Sequence, residues 1–251
     1  MLDALEAVAT RHDAGVEIER HAHPEGQLTV VLCGTAAITS AAGWLLAPPG
    51  FGIWVPPNVE HQASYSEASE LINLRLPAAL GAPLGAQCRS VMVSDLLREL
   101  AREAATVIAN DRQDPALPLF ASLIVHQASR PVLTHPLFVP DGQDRRLKQA
   151  TAILRRHPEQ RLRLEVLAAQ VHTSSRTLAR LFVAETGMTF GRWCEHLRVV
   201  SAVEQLCRGK SILQTALDLG YQSASSFTSL FTRLLGVPPR RYLRQLRAEE
   251  R

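Results

Sequence analysis

Residues 215–236 read TALDLGYQSASSFTSLFTRLLG, and residues 167–187 read LAAQVHTSSRTLARLFVAETG. Phe182 and Phe231 occupy corresponding places in the two segments, and each is followed five residues later by a glycine. Each segment begins with a short apolar helical pattern, continues through a tight turn and starts a second helix at a serine cap. A short helix, a turn and a second helix are typical of the helix-turn-helix arrangement. The C-terminal part of the chain is therefore predicted to contain this arrangement twice.

The region around these two copies is also helical in pattern. The short helices are expected at residues 164–171 and 212–219. Between the copies, a stripe at helical spacing predicts one long joining helix; it consists of Trp193, Leu197, Val200, Val203 and Cys207. The alternative is an ordinary all-α bundle, since Ala, Leu and Phe at such spacings also build a core.

Charge separates the two halves of the chain. Residues 1–141 contain 8 Arg against 15 Asp and Glu, a net charge of −7. Residues 142–251 contain 19 Lys and Arg against 9 Asp and Glu, a net charge of +10. Such an asymmetry predicts that the C-terminal half binds a polyanion. Two folded domains with arbitrary surface charge would give the same numbers.

A family resemblance rests on the motifs of the second copy. They are Ala216-x-x-x-Gly220-Tyr221, Ser225-Ser226-Phe227, and Phe231-x-x-x-x-Gly236-Val237-Pro238-Pro239-x-x-Tyr242. With them, residues 145–242 strongly resemble the DNA-binding domain of AraC-type transcription regulators, in which one helix links two helix-turn-helix units. The resemblance implies double-stranded promoter or operator DNA as a partner. The first copy is looser, because His172 stands where the second copy has Gly220.

The candidate DNA contacts lie on the second helix of each copy, opposite the apolar positions. In the first copy they are Ser174, Ser175, Arg176, Thr177 and Arg180; in the second they are Ser223, Ser225, Ser226, Ser229 and Arg233. Arg176 or Arg180 can donate to guanine O6 and N7, or both can hold phosphates. Serines discriminate bases weakly, so the first unit is expected to supply more specificity. Arg240 and Arg241 are predicted phosphate contacts, although surface arginines need no such explanation.

The N-terminal half has the pattern of β structure. Short apolar runs at residues 28–33, 52–55 and 71–76 are separated by Pro- and Gly-containing turns. Strands at this spacing predict a small sandwich or barrel. The fold class is thus α+β with two domains: a cupin-like β-barrel, a helical linker and an all-α double helix-turn-helix.

The cupin resemblance rests on two spaced motifs. The first contains Gly15, His21, His23, Gln27 and Gly34, and the second contains Gly50, Pro56, Asn58 and His61. The resemblance implies a metal site formed by His21, His23, Gln27 and His61, with Gln in place of the usual Glu. Imidazole ligands suit one divalent transition metal such as Zn, Ni, Fe or Cu. The alternative is a sensory cupin that has lost its metal and binds an organic effector.

Two helices are predicted between the domains, at residues 94–110 and 117–127. The first has an apolar stripe of Leu96, Leu97, Leu100, Ala104, Val107 and Ile108. We expect this stripe to mediate a homodimer, unless the helix packs entirely on its own barrel and on residues 117–127. The domain limits are predicted at 1–88 for the sensor, 89–141 for the linker and 142–251 for the DNA-binding domain, with residues 130–142 as the boundary segment.

Several classes of protein are disfavoured. No stretch is long and apolar enough for a membrane helix, and the N-terminus does not resemble a signal peptide. Four scattered cysteines without a CxxC pair suggest no disulfide framework. The sequence therefore predicts a cytoplasmic transcription regulator, not an enzyme, controlled by a ligand or metal. The alternatives are a metal-dependent cupin enzyme with a helical accessory domain, and a metal-binding module whose DNA contact is secondary.

Overall fold

The computed structural model describes residues 5–130 and 137–249, with side chains to residue 246. The chain divides into two compact units, the first formed mainly by residues 5–40, 45–130 and 137 and the second by residues 41–44 and 138–245. Part of the predicted boundary segment, residues 131–136, lies outside the described residues, as do residues 1–4 of the predicted sensor. None of the helices among the described residues is long and apolar enough to cross a membrane.

The first unit is built on antiparallel strands. They are β1 (Glu6–His12), β2 (Val16–His21), β3 (Gly26–Cys33), β4 (Ala36–Ser40), β5 (Gly43–Ala47), β6 (Phe51–Val55), β7 (His61–Tyr65), β8 (Ser69–Leu76) and β9 (Arg89–Met92). One sheet has the order β1-β8-β3-β6-β9, and the second has the order β5-β4-β7-β2 within this unit. The three predicted runs correspond to β3, β6 and β8, whereas the other strands, β1, β2, β4, β5, β7 and β9, were not singled out. The expected β-rich N-terminal domain is confirmed, as a two-sheet sandwich.

Helices cover the outer face of the first sheet. They are the short α1 (Ala78–Gly81), α2 (Asp95–Asn110) and α3 (Leu117–Ala128). The Ser94 side chain caps α2 by accepting from Leu97 N. The core between sheet and helices includes Leu28, Trp54 and Leu74 from the strands. Strand β9 and both longer helices thus belong to the first unit, whereas the predicted domain limits at 88/89 and 141/142 remain a prediction.

The apolar stripe of α2 lies mostly inside this core. Leu97, Ala104 and Ile108 are buried, and Leu100 and Val107 pack against the same cluster. Leu96 differs, with 53% of its surface exposed. The structure therefore favours the alternative in which the stripe packs on its own sheet and on α3, because the sheet offers an apolar face wide enough to cover it.

The second unit is helical after a short strand, β10 (Phe138–Pro140). Its helices are α4 (Arg145–Arg156), α5 (Leu164–Gln170), α6 (Ser175–Thr186), α7 (Phe190–Cys207), α8 (Ile212–Asp218), α9 (Ala224–Leu235) and α10 (Pro239–Glu249). Helices α5 and α6 form the first helix-turn-helix and α8 and α9 the second, joined by α7. The predicted double unit with one long joining helix is confirmed.

The two copies share their turn geometry. The helices α6 and α9 each end at a glycine with positive φ, Gly187 at 69° and Gly236 at 77°. The turns between the paired helices also contain a positive φ, at His172 (53°) in the first copy and at Gly220 (76°) in the second. His172 and Gly220, which occupy corresponding positions in the sequence, therefore also have the same type of backbone conformation.

Candidate functional site

Three histidines of the first unit form one group, which we call the histidine cluster: His21, His23 and His61. His21 ends β2 and pairs in register with His61, the first residue of β7. His23 follows β2 by two residues. The ring centroids are 4.4 Å apart for His21 and His61, 5.1 Å for His23 and His61, and 6.0 Å for His21 and His23. One ring nitrogen of each residue lies within 4.8 Å of the others.

Backbone carbonyls determine which nitrogen of each ring is protonated. Nδ1 of His21 contacts Glu19 O at 2.8 Å, Nδ1 of His61 contacts Val59 O at 2.9 Å, and Nδ1 of His23 contacts Glu25 O. Because a carbonyl oxygen can only accept, Nδ1 must donate in each case, which leaves a lone pair on Nε2 of the neutral ring. The His23 Nε2 atom is buried and has no hydrogen-bond partner. The cluster thus brings one ring nitrogen of each histidine toward the same place.

The surroundings favour the neutral form of His23 and His61. Burial lowers the pKa of both His23 and His61, and the backbone bonds of the two rings only partly oppose this. The positive charge of Arg75 on β8 also lowers the pKa of both rings. Arg75 lies 3.5 Å from the Glu25 carboxylate. The sequence motifs did not single out Arg75, although its alternation with Asn73 along β8 places the two on the same face of the sheet.

Gln27, the fourth predicted ligand, belongs to a polar network on the first sheet. Its Nε2 donates to Thr29 Oγ1 at 3.1 Å and to Asn73 Oδ1 at 3.3 Å. Thr29 donates to Asn73 at 2.8 Å, and Asn73 donates to Thr10 Oγ1 at 3.1 Å. The hydrogen bonds described for Gln27 hold its amide nitrogen in this network and do not connect it to a histidine. Its role as a ligand stays a prediction.

The first recognition helix, α6, starts with the predicted contact residues. Ser174 is the N-cap: its Oγ accepts from Thr177 N at 3.1 Å and donates to Thr177 Oγ1 at 2.9 Å. These two side chains therefore serve the helix start itself. Arg176 and Arg180 are exposed and four residues apart, so they share one face, while Ser175 is half-buried. On the opposite face Leu178 and Phe182 are buried, as the sequence predicts.

The second recognition helix, α9, presents serines where α6 presents arginines. Ser223 is the N-cap and accepts from Ser226 N at 3.3 Å. Ser226 Oγ donates to Ser223 O, and Ser229 Oγ donates to Ser225 O. All four serines are exposed. Since the hydroxyl groups of Ser226 and Ser229 donate to backbone carbonyls, they are oriented to act on a partner as acceptors.

The remaining predicted arginines have different surroundings. Arg233, near the end of α9, donates to the Glu195 carboxylate of α7 at 2.7 Å. Arg240 and Arg241 are exposed in the first turn of α10. Two further arginines, Arg161 and Arg198, line a cleft together with Ser226 and Ser229. The sequence did not single them out, because neither lies on a recognition helix and their approach to α9 is a long-range contact.

Family models match both units. Residues 4–128 match the AraC-like ligand binding domain, and residues 167–245 match a helix-turn-helix domain. Together the two matches span most of the described chain and reproduce the order of sensor and DNA-binding parts.

Individual relatives are regulators by name. The HTH-type transcriptional regulator NimR of Escherichia coli K12 is 28% identical over 227 residues, which cover 90% of this chain and 82% of NimR. The regulatory protein PocR of Salmonella typhimurium is 33% identical over 108 residues, 43% of this chain and 36% of PocR. A crystal structure of ToxT from Vibrio cholerae O395 superposes with a TM-score of 0.43 at 14% identity, covering 97% of this chain and 98% of ToxT.

Proposed function

The chain belongs to the AraC-type transcription regulators, with an AraC-like ligand-binding domain before its helix-turn-helix domain, and on that premise we propose that a metal ion in the histidine cluster controls its binding to DNA. The observation that carries this proposal is the preset tautomer of three converging rings, one of which has a buried Nε2 atom without a partner. Histidine ligands of metals ordinarily donate their other ring nitrogen to a carbonyl or carboxylate. The three Nδ1 bonds of the cluster have this form.

The donor set fits a transition metal. Bonds of about 2.1 Å at tetrahedral angles separate two nitrogen ligands by about 3.4 Å. The nitrogens of the cluster lie within 4.8 Å of one another, so small ring movements bring them to bonding positions. Imidazole ligands suit Zn, Ni, Cu or Fe(II). When bound, such an ion supplies a Lewis-acidic centre with open positions, and His21, His23 and His61 would hold it.

An organic effector remains part of the proposal. Gln27, Thr29 and Asn73 form a polar network on the first sheet, and Arg75 lies close enough to His23 and His61 to lower their pKa. These groups offer hydrogen-bond partners to a small polar molecule, which could complete the coordination of the metal or bind without it. Gln27 would then act as a fourth ligand or as a contact of the effector.

For DNA, we propose that the exposed face of α6 reads bases and that both recognition helices position the protein on the phosphates. Arg176 and Arg180 are the candidates for base reading, because their exposed guanidinium groups extend from the first turns of α6. The serines of α9 and the arginines Arg240 and Arg241 complete the predicted interface. Since the partner is chromosomal DNA, we propose the cytoplasm as the compartment and regulation without catalysis as the activity.

We propose further that the regulator acts as a homodimer, although not through the buried residues of the α2 stripe. Among the described residues of α2 and α3, the large apolar side chains left exposed are Leu96, Leu119 and Leu123, at 53%, 64% and 39%. A solution mass of the Leu119→Glu/Leu123→Glu variant that halves relative to wild type supports this. A monomeric wild-type protein at micromolar concentration would contradict it.

The test of the metal proposal compares two histidine pairs. The protein is purified without a His tag, and its metal content is measured beside the His21→Ala/His23→Ala variant. The control is His126→Ala/His157→Ala, which removes two exposed histidines outside the cluster. We expect one metal per chain in wild type and control, its loss in the cluster variant, and a change in affinity for the upstream DNA when the metal is removed by a chelator. Equal, sub-stoichiometric metal in all three proteins would contradict the proposal.

A further inference from the structure

A cleft of about 580 Å³ lies beside the second recognition helix. Its walls include Ser226 and Ser229 of α9 and three arginines, Arg161, Arg198 and Arg233. Because these serines belong to the exposed face of the recognition helix, the cleft opens on the face that a helix-turn-helix turns toward DNA. The arginines are therefore placed beside the DNA-contacting surface and not at a remote site.

Arg161 is held by the turn of the second unit. It is exposed in the loop before α5, and its Nη2 donates to Gly220 O at 3.1 Å. Its guanidinium carbon lies 5.7 Å from the centre of the Tyr221 ring. A guanidinium group has five N–H donors, so this bond and the ring contact orient the group while leaving donors for a ligand.

Arg198, from the middle of α7, is fixed by the same loop. Its Nε donates to Pro158 O at 3.0 Å and its Nη2 to Gln160 O at 3.4 Å. It also forms a side-chain hydrogen bond with Tyr221. Two arginine heads thus flank one tyrosine, and neither has to be ordered when a ligand arrives, which removes part of the entropic cost of binding.

One acidic group faces the three arginines of the cleft. Glu195 of α7 lines it and pairs with Arg233 at 2.7 Å. The side chains of this pair are exposed, Arg233 at 63% and Glu195 at 40%. Exposed ion pairs contribute little stability, so a doubly hydrogen-bonding anion can compete for Arg233.

We propose that Arg161 and Arg198 hold a backbone phosphate of duplex DNA, and that Arg233 joins them by leaving Glu195. Phosphate oxygens accept two parallel N–H bonds from one guanidinium group, which is the geometry that a fixed arginine fork offers. This inference rests on the proposed DNA-binding face and deepens it. The phosphate contact would position α9, whose serines alone specify bases weakly.

The test uses the full-length protein, a duplex from upstream of its own gene, and a scrambled duplex of the same length. Affinities are measured by fluorescence anisotropy over a range of salt concentrations for wild type, Arg161→Gln and Arg198→Gln. The control is Arg163→Gln, in the same loop, whose side chain is 80% exposed and pairs with Glu165. We expect each cleft variant to bind both duplexes several-fold more weakly and to reduce the salt slope by about 0.9. Arg163→Gln should keep the wild-type slope.

Three outcomes would overturn the phosphate contact. If the wild type binds DNA normally and both cleft variants keep the wild-type salt slope, only the phosphate contact is contradicted. If these variants also have a lowered melting temperature, the two arginines serve only to connect the loop to the turn. No salt-dependent binding by the wild type contradicts the DNA-binding face as well. Saturable binding of inorganic phosphate without DNA, lost in Arg161→Gln, assigns the cleft to a free anion. Arg161→Lys guards against misfolding, because it keeps the charge and should keep the slope.

Discussion

The two helix-turn-helix units have the same backbone plan and different constraints at the turn. In both, the short helix ends with the same pair of bonds: His172 N to Ala169 O and Thr173 N to Ala168 O in one, Gly220 N to Leu217 O and Tyr221 N to Ala216 O in the other. This pattern requires a positive φ at the first of each pair of residues. The first unit meets it with an exposed histidine and the second with a glycine.

The space around the turn explains this difference. A Cβ atom on Gly220 would lie 2.7 Å from Glu159 O, because the loop before α5 packs against the second turn. His172 is exposed. The positive φ alone therefore tolerates a side chain, at some strain, whereas the positive φ together with the close backbone excludes one. The second copy therefore needs glycine at position 220 mainly because the loop before α5 contacts this turn, and less because of the turn conformation itself.

The largest expected effect comes from exchanging these constraints. Gly220→Ala should lower the free energy of unfolding by about 2–4 kcal/mol, since it adds left-handed strain and a contact with Glu159 O. His172→Gly should change it by about 1 kcal/mol or less, with relief of strain offset by a more flexible unfolded chain. Denaturant unfolding of the full-length variants measures both. Equal losses of unfolding free energy at the two positions would show that the close approach of the loop to Gly220 contributes nothing.

The recognition helices provide the next contrast. Arg176→Ala or Arg180→Ala should cost about 1–3 kcal/mol of binding to the upstream duplex and relax preference at one base pair. Ser226→Ala and Ser229→Ala should cost less and leave base preference nearly unchanged, because a serine can contact several bases. Binding to duplexes with single base-pair changes measures this. Losses that are equal on specific and scrambled DNA would assign both arginines to phosphates.

A pH titration tests the contact between α7 and β10 in the second unit. Nε2 of His196 contacts Phe138 O at 2.8 Å, and burial lowers the pKa of this ring. The unfolded chain therefore binds the proton more readily, so stability is full above pH 6.5 and decreases as the pH falls below it. His196→Gln keeps a donor and should reduce this dependence between pH 7 and pH 5. An unchanged difference between the two pH values would contradict it.

The smallest effect is expected from Arg240, which follows the second helix-turn-helix. Arg240 is exposed at the start of α10, and Arg240→Ala should weaken binding to all duplexes alike and reduce the salt slope by about 0.9. Anisotropy at several salt concentrations measures the slope. A loss confined to the upstream duplex would move Arg240 from the phosphates to the bases.

Local patterns in the sequence predicted most of what is local in the structure. The repeat, the serine caps Ser174 and Ser223, and the helix starting after Ser94 depend on contacts within a few residues. The three histidines came from motif spacing, and the structure brings them together. Strand β1 was missed because it is an edge strand with mostly exposed residues, so its apolar alternation is weak.

The sequence could not show which distant part of the molecule contacts a given side chain or helix surface. The stripe of α2 predicted a buried surface correctly, yet periodicity does not say whether a neighbouring sheet or a second copy covers it. The approach of Arg75 to the histidines and of the loop at residues 157–161 to Gly220 are likewise contacts between distant parts of the chain. Their residue types carry no local signal, because an arginine on a strand or in a loop is ordinary.

The joining helix α7 limits how this protein can be taken apart. Ten of its residues are buried, among them Trp193, Leu197, Val200 and Leu206, on more than one side of the helix. It therefore forms part of the core of both helix-turn-helix units, and the contact between Gly220 and the loop before α5 is a second connection between them. We therefore expect that neither helix-turn-helix unit can be exchanged alone. A chimera must take residues 144–245 as a block, and its operator preference should then come from both units together.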